Sequence, residues 1–154
     1  MQVSEVLRVK GSTLFTVSPE SMLSEGVVTM ADHDIGSLVV MSNGRLAGML
    51  TFREVLRILA RRQLEGRSGP TGPVAEIAVR DVMNPEPFVV APDMEVNELR
   101  RVMLESHQRY VPVMDGSTLL GVISFHDVAK AVLEEQGFEN RMLKAYIRDW
   151  PVEG

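Results

Sequence analysis

The stretch "GMLTFREV" at residues 48–55 returns as "GVISFHDV" at residues 121–128. Both keep a glycine, an apolar pair, a hydroxyl residue, Phe, a basic or imidazole residue, a carboxylate and Val. By itself each octet describes a strand running into a helix. Thr51-x-x-Glu54 is a capping box: the hydroxyl accepts from a backbone N–H of the first turn, and the carboxylate reaches back to the N–H before the helix. Ser124-x-x-Asp127 offers part of the same arrangement with a shorter acid.

The likeness extends well beyond the octets. At a lag of 73, residues 15–56 align with residues 88–129 without a gap, and eleven of the 42 pairs are identical, among them Phe15/Phe88, Pro19/Pro92, Glu25/Glu98 and Met30/Met103. Upstream, "VSEVL" (3–7) resembles "VRDVM" (79–83) at a lag of 76. The chain is two copies of one unit.

Each copy carries the same succession of patterns. A short β-type run ("LFTV", "FVVA") precedes Pro19 or Pro92, a residue suited to a helix start. An amphipathic helix follows, marked in the second copy by Val96, Leu99, Val102 and Met103 at spacings of three and four. Two apolar strands come next, "SLVVM" and "LAGMLT", then "YVPVM" and "LLGVIS" in the second copy, separated by the turn formers "SNGR" and "DGST". A second helix closes the unit at about 52–64 and 125–136. The fold class is α/β of the α+β kind, built from two tandem β-α-β-β-α repeats. We expect the first repeat over 1–64, a Gly/Pro-rich linker over 65–73 ("EGRSGPTGP"), the second repeat over 74–136, and an amphipathic helix and tail over 137–154 with Leu143, Tyr146, Ile147 and Trp150 on one stripe. A unit of about 60 residues buries little surface alone, so the two should pack on each other about a pseudo-twofold axis.

Composition narrows the function. The net charge of -5 argues against nucleic acid as the main partner. No cysteine is present, which removes disulfides, thiolate metal sites and cysteine nucleophiles together. Apolar runs fall far short of a membrane span, and the N-terminus lacks the apolar core of a signal peptide, so a soluble cytoplasmic protein is expected. His33, His107 and His126 do not share metal-ligand spacing, and neither a nucleophile elbow nor a Gly-rich phosphate loop occurs, so we expect no metal site and no enzyme. The ten Met residues read as adaptable core filler.

The octets also admit a binding reading. A helix N-terminus directly after a strand presents free N–H groups and a positive dipole end, which suit a phosphate. A hydroxyl in the first turn adds a donor, and an acid one turn on can accept from both hydroxyls of a ribose. Gly48 or Gly121 would let a ligand approach the backbone closely.

The repeated β-α-β-β-α unit and the pattern G-h-h-[ST]-x-x-[DE]-h, together with "TVSP", "VVAP" and "YVPVMD", resemble the CBS domain pair, or Bateman module, over nearly the whole chain. The resemblance implies a regulatory, ligand-sensing module that binds an adenine nucleotide between its repeats, AMP first, with ADP, ATP, NADH or S-adenosylmethionine as further candidates. It also implies a homodimer and a separate target protein, since no enzyme, channel or transporter is attached. Carried over by position, Asp127 is the ribose acceptor and Ser124 the phosphate-side hydroxyl, with adenine against backbone and apolar side chains around Tyr110, Val111 and Pro112. Thr51 and Glu54 are their counterparts in the first copy, which departs from the pattern by its longer acid and by "SLVVM", which lacks the Pro. The site around Ser124 and Asp127 is therefore the expected one. Arg53, His126 and Arg109 are candidate cations for the phosphate. The alternative is a ligand-free interaction module in which the octets are caps and nothing more.

Overall fold

The structure is a computed structural model that describes residues 1–11, 13–66 and 73–148, the last three as backbone only. Most of the expected linker, 67–72, and Trp150 of the C-terminal stripe lie outside the described residues. The elements run α1 (Val3–Lys10), β1 (Thr16–Val17), α2 (Leu23–His33), β2 (Ser37–Ser42), β3 (Arg45–Thr51) and α3 (Phe52–Glu65), then two 3₁₀ turns (Val74–Glu76 and Val79–Asp81), α4 (Val96–Ser106), β4 (Tyr110–Asp115), β5 (Thr118–Ser124) and α5 (Phe125–Arg148). The chain is of the α+β class, in two repeats.

Local chemistry sets the elements. Helix α4 buries Val96, Leu99 and Met103, the stripe that the spacing predicts. Both amphipathic helices end on a residue in the left-handed region, Asp34 (φ 51°) and His107 (φ 56°), which are counterparts at the lag of 73. A short polar side chain tolerates that conformation better than a bulky one. The first hairpin turns through Asn43 (φ 53°) and Gly44 (φ 76°), both left-handed as a tight two-residue turn requires; the second turns at Gly116 (φ 60°). Each hairpin carries a register shift at the same place, Val40/Met41 and Val113/Met114.

Two differences from the expected pattern have physical causes. In the first copy β1 pairs parallel with β2 (Thr16↔Val39, Val17↔Val40), and the Val39 N–H donates to the Phe15 carbonyl at 3.2 Å. The counterpart of Val39 is Pro112, which has no N–H, and the pairing in the second copy shrinks to one bridge, Val90↔Val113. The expected strand "FVVA" is thereby reduced. The second difference is α5, which continues without a break through the expected boundary at 136 as far as Arg148. Leu143 on its far half is exposed.

The two repeats exchange their lead-in segments. Val3 and Val6 of α1 lie in the core of the second copy with Leu99, Val113 and Ile123, whereas Val79 completes the core of the first with Leu23, Leu38 and Leu50. The backbone stitching follows the same twofold relation. Val3 N–H donates to the Met94 carbonyl and Ser4 N–H to that of Pro92; Val79 N–H donates to the Ser21 carbonyl and Arg80 N–H to that of Pro19. Each lead-in thus supplies a wall of the other repeat. Complete burial of a Val side chain such as Val3 or Val79 stabilises by about 1.5–3 kcal/mol, so neither core is whole without the exchange.

Candidate functional site

Strands β3 and β5 each end in a complete capping box. In the first, Thr51 N–H donates to Glu54 Oε2 at 3.1 Å, the Thr51 hydroxyl also bonds Glu54 Oε2, and Arg53 N–H donates to Thr51 Oγ1 at 3.2 Å. In the second, Ser124 N–H donates to Asp127 Oδ2 at 2.8 Å and Asp127 N–H to Ser124 Oγ at 3.1 Å. The shorter acid performs the full reciprocal task, where the sequence promised only a part. Both octets are therefore helix starts first. All the cap bonds from Glu54 end on one oxygen, Oε2, and the other oxygen remains an acceptor.

The glycines that open the octets serve the chain itself. Asn84 exchanges backbone hydrogen bonds with Met49 (2.8 and 3.0 Å), and a Cβ on Gly48 would meet the Asn84 carbonyl oxygen at 2.5 Å. At Gly121 the neighbour is the Leu7 side chain, 3.2 Å from such a Cβ. Leu7 and Met83 are counterparts at the lag of 76, so both positions admit the exchanged lead-in segment. The close approach expected of a ligand is made by the chain.

Around the first octet lies a cleft of about 810 Å³. One wall is the start of α3, from Thr51 and Phe52 to Arg61; another is the segment from Val82 to Pro87; Gln108, Arg109 and Tyr110 of the second copy close it. Four arginines line it: Arg53, Arg57 and Arg61, one turn apart along α3, and Arg109 from the lead into β4. Arg53 Nη2 donates to the His107 carbonyl, which ties α3 to the left-handed cap of α4. Phe52 is 51% exposed, and Met83, Pro85 and Pro87 supply further apolar wall. The Tyr110 hydroxyl passes over Gly36, where any Cβ would collide with it.

Of the residues singled out in the sequence, the cleft gathers Thr51, Arg53, Glu54, Arg109 and Tyr110. It does not gather Val111, fully buried in the core of the second copy, or Pro112, buried and paired with Val122. Their side chains are committed to packing. His126 lies instead on a shallow groove along α5 with Lys130 and Leu133. The cleft adds Arg57 and Arg61, which with Arg53 form a stripe at helical spacing legible in the sequence.

The second octet has a different environment. Lys10, the last residue of α1, donates to Asp127 Oδ2 at 2.7 Å and to the Val122 carbonyl at 2.8 Å. Burial pushes the Asp127 carboxyl up. The hydrogen bonds from Lys10 and Ser124, with the Lys10 charge, outweigh that push and hold it below the usual carboxylate value. No sequence signal could have found this contact, because 117 positions separate the partners. Among the described residues no group of three His, Asp or Glu side chains could hold a metal, and no helix is long and apolar enough to cross a membrane.

The CBS domain family matches residues 3–61 and 79–134 of this chain. The CBS domain-containing protein YhcV of Bacillus subtilis is 33% identical over 114 residues, covering 74% of this chain and 75% of its own. A CBS-domain containing protein of Agrobacterium tumefaciens superposes with a TM-score of 0.75 at 26% identity, over 85% of this chain and 98% of its own. CBSX2, solved in complex with AMP, has the same fold, with a TM-score of 0.70 at 22% identity over 88% of this chain and 98% of its own.

Proposed function

The chain belongs to the CBS domain family, and from that membership we propose that it is a regulatory, non-catalytic module that binds an adenine nucleotide in the cleft beside Thr51 and Glu54. One observation carries the proposal: four arginines line a cleft at the junction of the repeats, in a chain whose net charge is -5. Like charges gathered against the overall sign are stabilised by an anion. Guanidinium groups are also the side chains best shaped for phosphate. The α3 N-terminus adds its positive end. Phe52, Met83 and Pro85 offer apolar surface for a base, and the free oxygen of Glu54 accepts from a ribose hydroxyl. That CBSX2 holds AMP supports the choice of ligand class. The Arg-lined wall favours AMP, ADP, ATP or NADH over the cationic S-adenosylmethionine.

This reading moves the site from Ser124 and Asp127, where the family pattern is better kept, to Thr51 and Glu54, where the cavity and the cations are. Binding signals through a change of shape or of dimer geometry, and requires a second state with different affinity for the nucleotide. The apolar side chains exposed on α3 (Leu56, Leu59) and α5 (Leu133, Phe138) support a homodimer, and a separate target protein receives the signal in the cytoplasm. Sedimentation equilibrium checks the dimer: a monomer at all concentrations counts against it.

A thermal-shift panel of AMP, ADP, ATP, NADH and S-adenosylmethionine tests the ligand. A nucleotide at 100 times its dissociation constant stabilises by about 2.7 kcal/mol. The expected result is a rise with the anionic compounds, lost in Arg57→Ala/Arg109→Ala. A flat response across the panel overturns the proposal. It would favour the interaction-module reading, which draws its support from both octet acids being already engaged in caps.

A further inference from the structure

The two octets are related by the internal twofold, yet the charges around them differ. Where the first places Arg53, Arg57 and Arg61 along α3, the second places His126, Lys130 and Glu134 along α5. Where the first has Glu86 in its lead-in segment, the second has Lys10. Glu86 is exposed and carries the same sign as Glu54, so it cannot pair with that acid. Lys10 carries the opposite sign to Asp127 and is drawn in.

We infer that Lys10 is the residue that decides which octet takes ligand: its ammonium occupies the acid of the second octet, and the module binds one nucleotide per chain. The inference rests on the nucleotide reading of the first cleft. The Lys10 ammonium is held at two points, the Val122 carbonyl at the end of β5 and Asp127 in the first turn of α5. A ribose arriving at Asp127 must displace an ammonium and exchange an ion pair for hydrogen bonds from uncharged hydroxyls. The phosphate would then find His126 and Lys130 but also Glu134, with Arg141 further along α5, in place of the arginines at 53, 57 and 61. With the Asp127 side chain only 18% exposed, water screens the ion pair less than it would on an open surface.

Two substitutions test this. Lys10→Met keeps the length of the side chain and removes its charge; Lys10→Glu reproduces the Glu86 arrangement of the first cleft. Lys10 closes its helix at a partly exposed position, so both variants should fold, which a thermal melt verifies. Calorimetric titration with ATP and with AMP is expected to give one site per chain in the parent and a second, weaker site in both variants. A parent with two sites, variants that keep one, or variants that lose binding altogether each overturn the inference, the last by making Lys10 a ligand contact. A parent that binds neither compound refutes the nucleotide reading itself. Lys10 is still tested in that event: the carboxyl resonance of Asp127, followed by NMR, must titrate at higher pH in Lys10→Met, and an unmoved titration shows that the pair does not form.

Discussion

Gly48 and Gly121 stand at equivalent places in the two octets but have unequal neighbours. An added methyl at 48 meets a backbone oxygen, which cannot yield without breaking the Met49–Asn84 pairing; at 121 it meets the flexible end of Leu7. Gly48→Ala should therefore cost about 1–3 kcal/mol. Gly121→Ala should be near neutral, since Leu7 can shift and a strand alanine has less chain entropy to lose. Equal melting temperatures for the two variants would show that the exchanged segments do not pack as described. Asp127 sets a pH dependence. Its carboxyl binds a proton less readily in the folded chain than in the unfolded one. The unfolded state takes up more protons on acidification, so the contribution of Asp127 is present above about pH 4 and is lost as pH falls through the lower folded value. Urea titrations from pH 6 to pH 2.5 should show a shallower loss for Lys10→Met than for the parent. A parallel loss would remove Lys10 from the account. Both features lay beyond the sequence: the octets could be read as caps, but not the contacts that reach them from far along the chain.

At the scale of elements, much was legible. The stripe of α4, the two hairpin turns and the capping boxes follow from local chemistry and stand where the periodicity and turn residues put them. Pro112 was noted only as a family feature, whereas its missing N–H also explains why the second copy has a bridge in place of a strand. Pro112→Val copies the first repeat and supplies a donor for the Phe88 carbonyl. Restoring that bond should stabilise by about 0.5–1.5 kcal/mol, seen as slower amide exchange around Phe88 to Val90; unchanged exchange would mean that the ladder is limited by something other than the proline. Ser124→Ala should cost about 0.5–2 kcal/mol through the lost cap, measured by chemical denaturation, and a neutral result would deny Ser124 its place at the start of α5. The Arg stripe of α3 follows the same helical spacing, but only the fold shows that it borders a cleft.

For the molecule as a whole, duplication predicted two repeats that pack together but not that they trade their lead-in segments. The one hint was the change of lag from 73 to 76, which says that the lead-in is joined to its repeat by a connection of different length in each copy. Because Val3 and Val6 belong to the second core and Val79 to the first, the repeats are not independent folding units. Chains cut within residues 67–72 test this. The piece from 73 onward should be largely unfolded alone by circular dichroism, since its core lacks Val3 and Val6; a second piece that folds cooperatively by itself would contradict the exchange. The same architecture places the candidate site, because the cleft is built from α3 of one repeat, the exchanged segment and the start of β4 of the other. The most direct test is a crystal structure of the chain with ATP bound. Phosphate density against Arg53, Arg57 and Arg109, with the Lys10–Asp127 pair intact, is the predicted result; density seated on Asp127 with Lys10 displaced, or a cleft that stays empty at saturating ATP, would contradict it.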